Sequence, residues 1–205
     1  MKTKNYHHGD LKNALIQAGV EVLASKGVNG LSLREVAKRA GVSHSAPYAH
    51  FSDKQALIAA IATEGHVHIH DAITEIFAQH PDKPLQQLIE TACAYLRFGL
   101  DEPDLFKTTF AGVVENERDH PALVEMTQIN FKLIRQLVAR CQAAGIFSPG
   151  PDDLMAQNLW SSVYGLISLL QGGQVSSTLL DRYSPRQLLL FNLDMMTQTK
   201  INIED

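Results

Sequence analysis

Residues 31–54 read LSLREVAKRAGVSHSAPYAHFSDK. Ser32 is followed three residues later by Glu35, which is the spacing of a capping box at the start of a helix. A short helix is therefore expected over residues 33–40. Gly41 is expected to end it, because glycine adopts the left-handed conformation of a sharp turn without steric cost.

A second short helix is expected to begin between residues 44 and 46, because Pro47 lacks an amide proton and is tolerated only in a first turn. It is expected to end by Phe51. A longer amphipathic helix precedes the pair, over about residues 10–26, and a second capping pattern at Ser52 begins a long helix after it. Two short helices joined by a glycine turn and preceded by a longer helix are typical of a helix-turn-helix DNA-binding module.

Helical periodicity dominates the rest of the chain. Apolar residues recur at helical spacing in several further segments: about 85–100, a shorter one that begins at 101–104, 121–144, 152–170 and 185–199. No alternating strand pattern bounded by hairpin turns and no internal repeat is found. The sequence predicts an all-α fold, in which an N-terminal three-helix domain continues through a long connecting helix into a second helical domain.

Composition excludes several classes of protein. The chain has 205 residues, of which 45% are hydrophobic and 20% charged, which excludes a disordered or collagen-like chain. Its two cysteines, Cys93 and Cys141, form neither a disulfide framework nor a Cys-x-x-Cys pair, and they favour the reducing cytoplasm. We expect no export signal and no membrane helix, since no apolar run approaches the roughly 18 residues of a membrane span.

Charge is distributed unevenly. Residues 1–54 carry eight lysines and arginines against four acidic residues, whereas residues 55–205 carry ten against eighteen. A basic module joined to an acidic body is expected when one end of a protein meets the phosphates of nucleic acid and the other does not. An unevenly charged, solvated surface is the alternative explanation.

The second short helix is expected to enter the major groove of double-stranded DNA. Nine residues are candidates for DNA contact: Ser32, Arg34, Ser43, His44, Ser45, Ala46, Tyr48, His50 and Lys54. The small polar groups and the methyl group suit base edges, and the longer donors suit phosphate. Ser32 and Ser43 are expected to act as helix caps, and their hydroxyls are also candidates for phosphate contact. Phe51 is expected to pack in the core and Tyr48 is not, because a buried phenol needs a polar partner.

Residues 31–43 and 46–54 resemble the N-terminal domain of tetracycline-repressor-type (TetR) regulators, and the resemblance covers about residues 8–65. It implies that Tyr48, His50 and Lys54 grip phosphates and that His44 and Ser45 read bases. It also implies a C-terminal ligand-sensing and dimerising domain and, by family habit, a repressor. The segment LWSSVYG at residues 159–165 is similar to the Trp-x-x-x-His-Gly signature of one branch, with Tyr164 in place of the histidine.

These patterns divide the chain into a basic arm (1–7), a DNA-binding domain (8–68) and a ligand-binding and dimerisation domain (69–205). Broad apolar faces on the last two helices, about residues 152–199, predict an isologous homodimer, with a plain buried core as the competing explanation. A small apolar or aromatic effector is expected in a pocket among the aromatic residues of the central helices. The candidates to line it are Tyr95, Phe98, Phe106, Phe110, Phe131, Trp160 and Tyr164.

Three other functions compete with this interpretation. His66 and His70 lie four residues apart on one helix and suit a metal-responsive regulator, although no third ligand is identifiable. A helical di-iron enzyme needs two Glu-x-x-His pairs, and the single instance, residues 117–120, precedes Pro121, which disfavours helical geometry there. A helical interaction module without DNA binding is the third. No nucleophile elbow, phosphate loop or dinucleotide fingerprint is present, so we expect neither catalysis nor a cofactor.

Overall fold

The computed structural model describes residues 8–203, and side chains from residue 11 onward; the predicted arm at residues 1–7 lies outside this range. Within it the protein is all-α, as predicted, and has no β-strand. The α-helices are α1 (His8–Gly30), α2 (Leu33–Ala40), α3 (Lys54–Gln79), α4 (Pro84–Asp101), α5 (Pro103–Phe110), α6 (Pro121–Ala143), α7 (Asp152–Gln171), α8 (Ser177–Leu180) and α9 (Pro185–Asp194). Two short 3₁₀ segments, Ala46–Ala49 and Glu117–Asp119, complete the described part.

The predicted start and end of α2 are confirmed. The Oγ of Ser32 accepts a hydrogen bond from the backbone N–H of Glu35 at 3.2 Å. Gly41 follows with φ 69° and ψ 31°, the left-handed conformation that ends the helix. The second short helix lies where it was expected but is a 3₁₀ segment, Ala46–Ala49. Pro47 cannot donate a backbone hydrogen bond, so little of this segment can form regular α-helical pairs.

Two details of the helix ends differ from the sequence predictions. Asp53, not Ser52, caps α3: its Oδ1 accepts from the backbone N–H of Ala56 at 2.8 Å, while the Ser52 hydroxyl donates to Asp53 Oδ2. α9 ends at Asp194 rather than near residue 199, because Asp194 Oδ1 accepts from the N–H of Ile201 at 2.8 Å and turns the chain back. α1 is interrupted at Gly27, whose φ of 65° and ψ of 179° are not helical, so its regular part ends where the sequence predicts and a further turn runs to Gly30.

The described chain forms two compact units. The first contains residues up to 67 together with residues 102–126, and the second contains residues 68–101 together with residues from 127 onward. α3 and α6 therefore each contribute residues to both units.

The first unit is built on α1, α2, the 3₁₀ segment and the first part of α3. Phe51 is buried in its core, as predicted. Side chains of α1, α2 and α3, together with Leu31 between α1 and α2, are fully or almost fully buried with it: Leu15, Leu23, Leu31, Val36, Leu57 and Ile61. α5 packs against α1, and the backbone of Gly65 approaches the side chain of Thr109 so closely that a Cβ at residue 65 would collide with it. Gly65 therefore sets the spacing between α3 and α5.

The second unit packs α4 against α7 and α9, with α6 completing its core. Its most buried side chains are Leu88, Leu137, Val138, Phe147, Ile167, Leu189 and Leu193. Both cysteines are buried free thiols in this unit, and burial raises the pKa of Cys141 to about 12. These thiols are therefore protonated at neutral pH and act as small core residues.

Candidate functional site

The segment between α2 and α3, residues 42–50, displays a group of polar side chains on the surface of the first unit; we call it the reading turn. Ser43, His44 and Ser45 are exposed, and Tyr48 has 62% of its surface open to solvent. The predicted exposure of Tyr48 is thus confirmed. Because the capped α2 and the buried Phe51 anchor both ends, these side chains project from a rigid support.

Hydrogen bonds hold the reading turn in shape. The hydroxyls of Ser43 and Ser45 lie 3.1 Å apart. The backbone N–H of Ala46 donates to the carbonyl of Ser43 at 3.0 Å, and that of Tyr48 donates to the carbonyl of Ser45 at 3.2 Å. The turn therefore presents His44 and Tyr48 from a backbone whose own polar groups are largely satisfied.

His50 is half-buried, unlike the exposed His44 and Tyr48. Its ring packs beside Phe51, with centroids 6.4 Å apart. Its Nε2 is covered by protein and has no hydrogen-bond partner among the described residues. A buried ring nitrogen without a partner costs free energy of about 1–3 kcal/mol.

Lys54 makes a contact that the sequence did not predict. Its Nζ donates to the backbone carbonyl of Val28 at 2.9 Å, which ties the start of α3 to the end of α1. The lysine lies 26 residues from its partner in sequence, so only the fold reveals the pair. The contact holds the ammonium group of Lys54 against the last residues of α1.

The basic side chains near the reading turn fall into two groups. Lys26 pairs with the carboxylate of Glu35, and this pair lowers the pKa of the Glu35 carboxyl. Arg39 pairs with Glu21 at 3.2 Å. The Glu35 carboxylate is thus engaged by Lys26 rather than completing the predicted capping box with Ser32.

Arg34 and Lys38 form the second group: they are exposed on one face of α2, four residues apart, and neither has an ion pair among the described residues. Lys38 is a candidate that the sequence analysis missed. The four-residue spacing from Arg34 was the available signal.

Two of the predicted pocket residues, Phe106 and Phe110, belong to the first unit. Their ring centroids are 4.9 Å apart, and Phe110 meets the imidazole of His66 edge to face at 5.0 Å. His66 is only 5% exposed, and burial lowers its pKa to about 4. The imidazole is therefore neutral at pH 7 and acts as part of the core.

We expect the first unit to lose stability on mild acidification because of His66. The unfolded chain binds a proton at this residue below its ordinary pKa of 6.5, and the folded chain does so only near 4. The free energy of unfolding should therefore fall by about 2 kcal/mol between pH 7 and about pH 5. Chemical denaturation at both pH values measures this difference. It should shrink by the same amount in His66→Leu, and an equal acid loss in both proteins would contradict the assignment.

The second unit encloses a small cavity among α4, α6 and α7, which we call the chamber. Its volume is about 30 Å³. The residues that line it are Leu88, Thr91, Ala92, Tyr95, Ile134, Leu137, Leu159, Trp160 and Val163. Of the predicted pocket residues, Tyr95 and Trp160 meet here, with ring centroids 5.2 Å apart. Burial raises the pKa of Tyr95, so its phenol stays neutral.

The remaining predicted pocket residues do not line the chamber. Tyr164 stacks beside Trp160 with ring centroids 5.4 Å apart. Phe98 stacks on His68 at 5.0 Å, and Phe131 is 38% exposed on α6. The aromatic residues of the sequence therefore divide among several environments instead of one pocket.

The histidines proposed as metal ligands have other partners. His66 packs against Phe110, and His70 Nδ1 lies 3.1 Å from Oδ1 of Asn130. No group of three His, Cys, Asp or Glu side chains suited to a metal ion occurs in the described part of the chain.

α7, α8 and α9 border an open groove of about 820 Å³ on the second unit. Gly165, Leu166 and Leu169 line it from α7, and Leu188 and Phe191 line it from α9. Large apolar side chains on these helices or directly after α9 are exposed: Leu154, Leu169, Phe191 and Met195. An apolar surface of this kind is typical of an interface with another protein.

Two family models match the chain. The model for bacterial regulatory proteins of the tetR family matches residues 15–61, and the model for the tetracyclin repressor-like C-terminal domain matches residues 88–190.

None of the helices within residues 8–203 combines the length and apolar character needed to cross a membrane.

Individual relatives agree with these models. The HTH-type transcriptional regulator AcrR of Shigella flexneri is 28% identical over 172 residues, which cover 78% of this chain and 75% of AcrR. The class A tetracycline repressor from transposon 1721 of Escherichia coli is 42% identical over 60 residues, 27% of this chain and 28% of the repressor. A solved structure of a protein with unknown function from Rhodococcus sp. RHA1 has a TM-score of 0.77 and 28% identity, and covers 95% of this chain and 97% of that one.

Proposed function

Since the chain belongs to the tetR family of bacterial regulatory proteins, we propose that it is a sequence-specific DNA-binding transcriptional regulator, and specifically a ligand-responsive homodimeric repressor. One observation supports this most directly: the reading turn exposes Tyr48, His44 and Ser45 from a support fixed at both ends. Such a segment, placed in a major groove, presents donors and acceptors to base edges. The protein is not an enzyme.

Within this proposal the nine candidate residues have different roles. His44, Ser45 and Ala46 face base edges, where hydrogen-bonding groups and a methyl contact discriminate base pairs. Tyr48, His50, Lys54 and Arg34 meet phosphates, which position the protein without reading sequence. Ser32 and Ser43 stabilise the helix start and the turn. We add Lys38 to the phosphate contacts, because it shares the exposed basic face of α2 with Arg34.

The phosphate contacts can be tested through salt dependence. Lys54→Ala should weaken binding to specific and nonspecific DNA alike and lower the slope of log K against log salt by about one unit, because one phosphate neutralisation is lost. Tyr48→Phe should weaken binding without changing the slope, since it removes a neutral donor. Fluorescence anisotropy over a salt series measures both effects. A wild-type slope in Lys54→Ala would assign the lysine to the Val28 carbonyl alone.

We propose that the homodimer forms through α7 and α9, within residues 152–199. The exposed apolar side chains Phe191, Leu169 and Met195 and the groove between the two helices support this choice. A twofold axis makes the interface self-complementary, so one apolar face serves both protomers and forms a four-helix arrangement. The two reading turns would then lie one DNA turn, about 34–36 Å, or a multiple of it apart, and the operator would be pseudo-palindromic.

We propose that the effector binds in the chamber of the second unit and acts through α3. α3 begins at Lys54, shortly after the reading turn, and its residues 68–79 belong to the second unit. A ligand that favours a conformer with mismatched reading turns shifts the population away from DNA. The coupling is reciprocal and typically amounts to about 1–3 kcal/mol, so an inducer should lower operator affinity by roughly 5- to 150-fold. Titrating the effector into the free protein and into the operator complex tests this: equal affinities would contradict it.

A further inference from the structure

None of the nine residues that line the chamber carries a charge. Seven of them have apolar side chains, whose single polar group is the indole N–H of Trp160. The other two residues, Thr91 and Tyr95, each have a hydroxyl group. An ionised group placed there would lose its hydration and find no counter-ion in the wall. Burial of an unpaired charge is strongly unfavourable.

Thr91 is the polar group whose environment is hardest to explain by packing alone. It is 3% exposed, and its Oγ1 is buried without a hydrogen-bond partner among the described residues. Other helical threonines of this protein return their hydroxyl proton to the carbonyl four residues earlier: Thr63 to Ala59, Thr108 to Asp104 and Thr109 to Leu105. Thr91 does not, although it lies inside α4 with that carbonyl available.

A buried hydroxyl without a partner destabilises the empty chamber, because the desolvation of the group is not compensated. Buried polar groups in proteins are almost always paired with protein, ordered water or ligand. The hydroxyl of Thr91 therefore has the properties expected of a group that is paired only when the chamber is occupied.

The chamber must enlarge to admit an organic molecule. Its volume of about 30 Å³ exceeds the space for a single water, whereas cavities that hold benzene are on the order of 150 Å³. Trp160 is half-buried in the chamber wall and packs between Tyr95 and Tyr164. The other residues that line the chamber are buried, whereas Trp160 is partly exposed to solvent. Its movement therefore opens the chamber at the least cost in packing.

We propose that the effector is an uncharged molecule with an apolar body and one hydroxyl or carbonyl group, which pairs with the hydroxyl of Thr91 after Trp160 moves aside. This inference rests on the proposed function of the chamber as the effector site. Tyr95 also lines the chamber, where its aromatic ring provides an apolar surface. Carboxylates, phosphates and organic cations are excluded by the absence of charge in the wall.

The experiment is a fluorescence titration, because Trp160 is the single tryptophan of the chain. The 205-residue protein is titrated at pH 7 with phenol, toluene and benzoate, which share one aromatic ring and differ in polarity and charge. Calorimetry of the same titrations gives a second readout that does not depend on the indole. Phenol should bind saturably and change the Trp160 emission, toluene should bind more weakly, and benzoate should not bind.

Two substitutions separate a specific hydrogen bond from general packing. Thr91→Val keeps the shape of the side chain and removes its hydroxyl, so phenol binding should weaken by about 3- to 10-fold while toluene binding stays or improves. Thr108→Val is the matched control: it removes an equally buried threonine hydroxyl that lies outside the chamber. Phenol binding should be unchanged in that variant.

Three results would overturn the proposal: benzoate binding as tightly as phenol, unchanged phenol binding in Thr91→Val, or no saturable phenol binding by either readout at millimolar concentration. Operator binding is measured on the same samples. A protein that binds its operator but fails these ligand tests refutes the inference and leaves the regulator intact. A protein that binds phenol through Thr91 but no DNA refutes the proposed function and leaves the chamber chemistry standing.

Discussion

Phe191→Glu is expected to convert the protein from a dimer to a monomer at micromolar concentration. Phe191 is an aromatic side chain with 51% of its surface exposed in one protomer, and it lines the groove between α7 and α9. In an isologous interface the substitution occurs twice. Aromatic residues at the centre of interfaces typically contribute about 2 kcal/mol or more each, so the dimer dissociation constant should rise by about a thousandfold.

Sedimentation velocity over a concentration series measures this change, and circular dichroism establishes that the helices remain. Phe131→Glu is the matched control, since Phe131 is also an exposed aromatic residue of the second unit but lies outside the groove. Operator affinity should fall with the loss of the dimer, because a monomer reads a single half-site. A stable dimer in Phe191→Glu would exclude the α7–α9 face as the interface.

Substitution of the residues that face base edges is expected to change which DNA is preferred, with an effect that is doubled in the dimer. A good base contact contributes about 1–3 kcal/mol, and each half-site loses it, so His44→Ala or Ser45→Ala should lower operator affinity by about 2–6 kcal/mol. Nonspecific binding should change little, because these side chains are assigned to base edges and not to phosphates. The variants should also tolerate substitution of the base pair that the lost group reads.

A panel of operator variants with one symmetric base-pair change each measures the preference. Ser25→Ala serves as control: this exposed serine of α1 bonds the carbonyl of Glu21 on its own helix and lies outside the reading turn. If His44→Ala and Ser45→Ala both keep the wild-type ranking of the panel, the base-reading assignment is wrong and another part of the reading turn must carry specificity.

Local signals made the helix-turn-helix predictable. The Ser32 cap and the left-handed Gly41 act within a few residues of the chain, so the sequence contains the whole physical cause. Competition between neighbouring groups was harder to foresee. Asp53 caps α3 because its carboxylate accepts a hydrogen bond from the N–H of Ala56. The hydroxyl of Ser52 donates to the same carboxylate.

Contacts between distant segments could not be predicted from a single sequence. The bond from Lys54 to Val28 and the pair between Lys26 and Glu35 depend on how α1, α2 and α3 pack. The same holds for the chamber. Aromatic content indicated Tyr95 and Trp160, but it could not separate them from Phe106 and Phe110, which pack with His66 in the other unit.

Thr91 had no signal in the sequence at all. Threonine inside a helix is expected to bond the preceding turn, as Thr108 does with the carbonyl of Asp104. The packing of α4, α6 and α7 leaves the hydroxyl of Thr91 buried at a cavity, with no hydrogen-bond partner among residues 8–203. The proposed chemical class of the effector therefore rests on the tertiary structure.

The central claim, that this chain is a dimeric sequence-specific regulator, is tested most directly by selecting random double-stranded DNA with the purified protein and measuring affinity and stoichiometry on the enriched sequence. The account predicts an inverted repeat whose half-sites lie one DNA turn or a multiple apart. Each repeat should bind two protomers, at least about a thousandfold more tightly than unrelated DNA at the same salt concentration. Retention of DNA without an enriched sequence, or an asymmetric site occupied by one protomer, would contradict it.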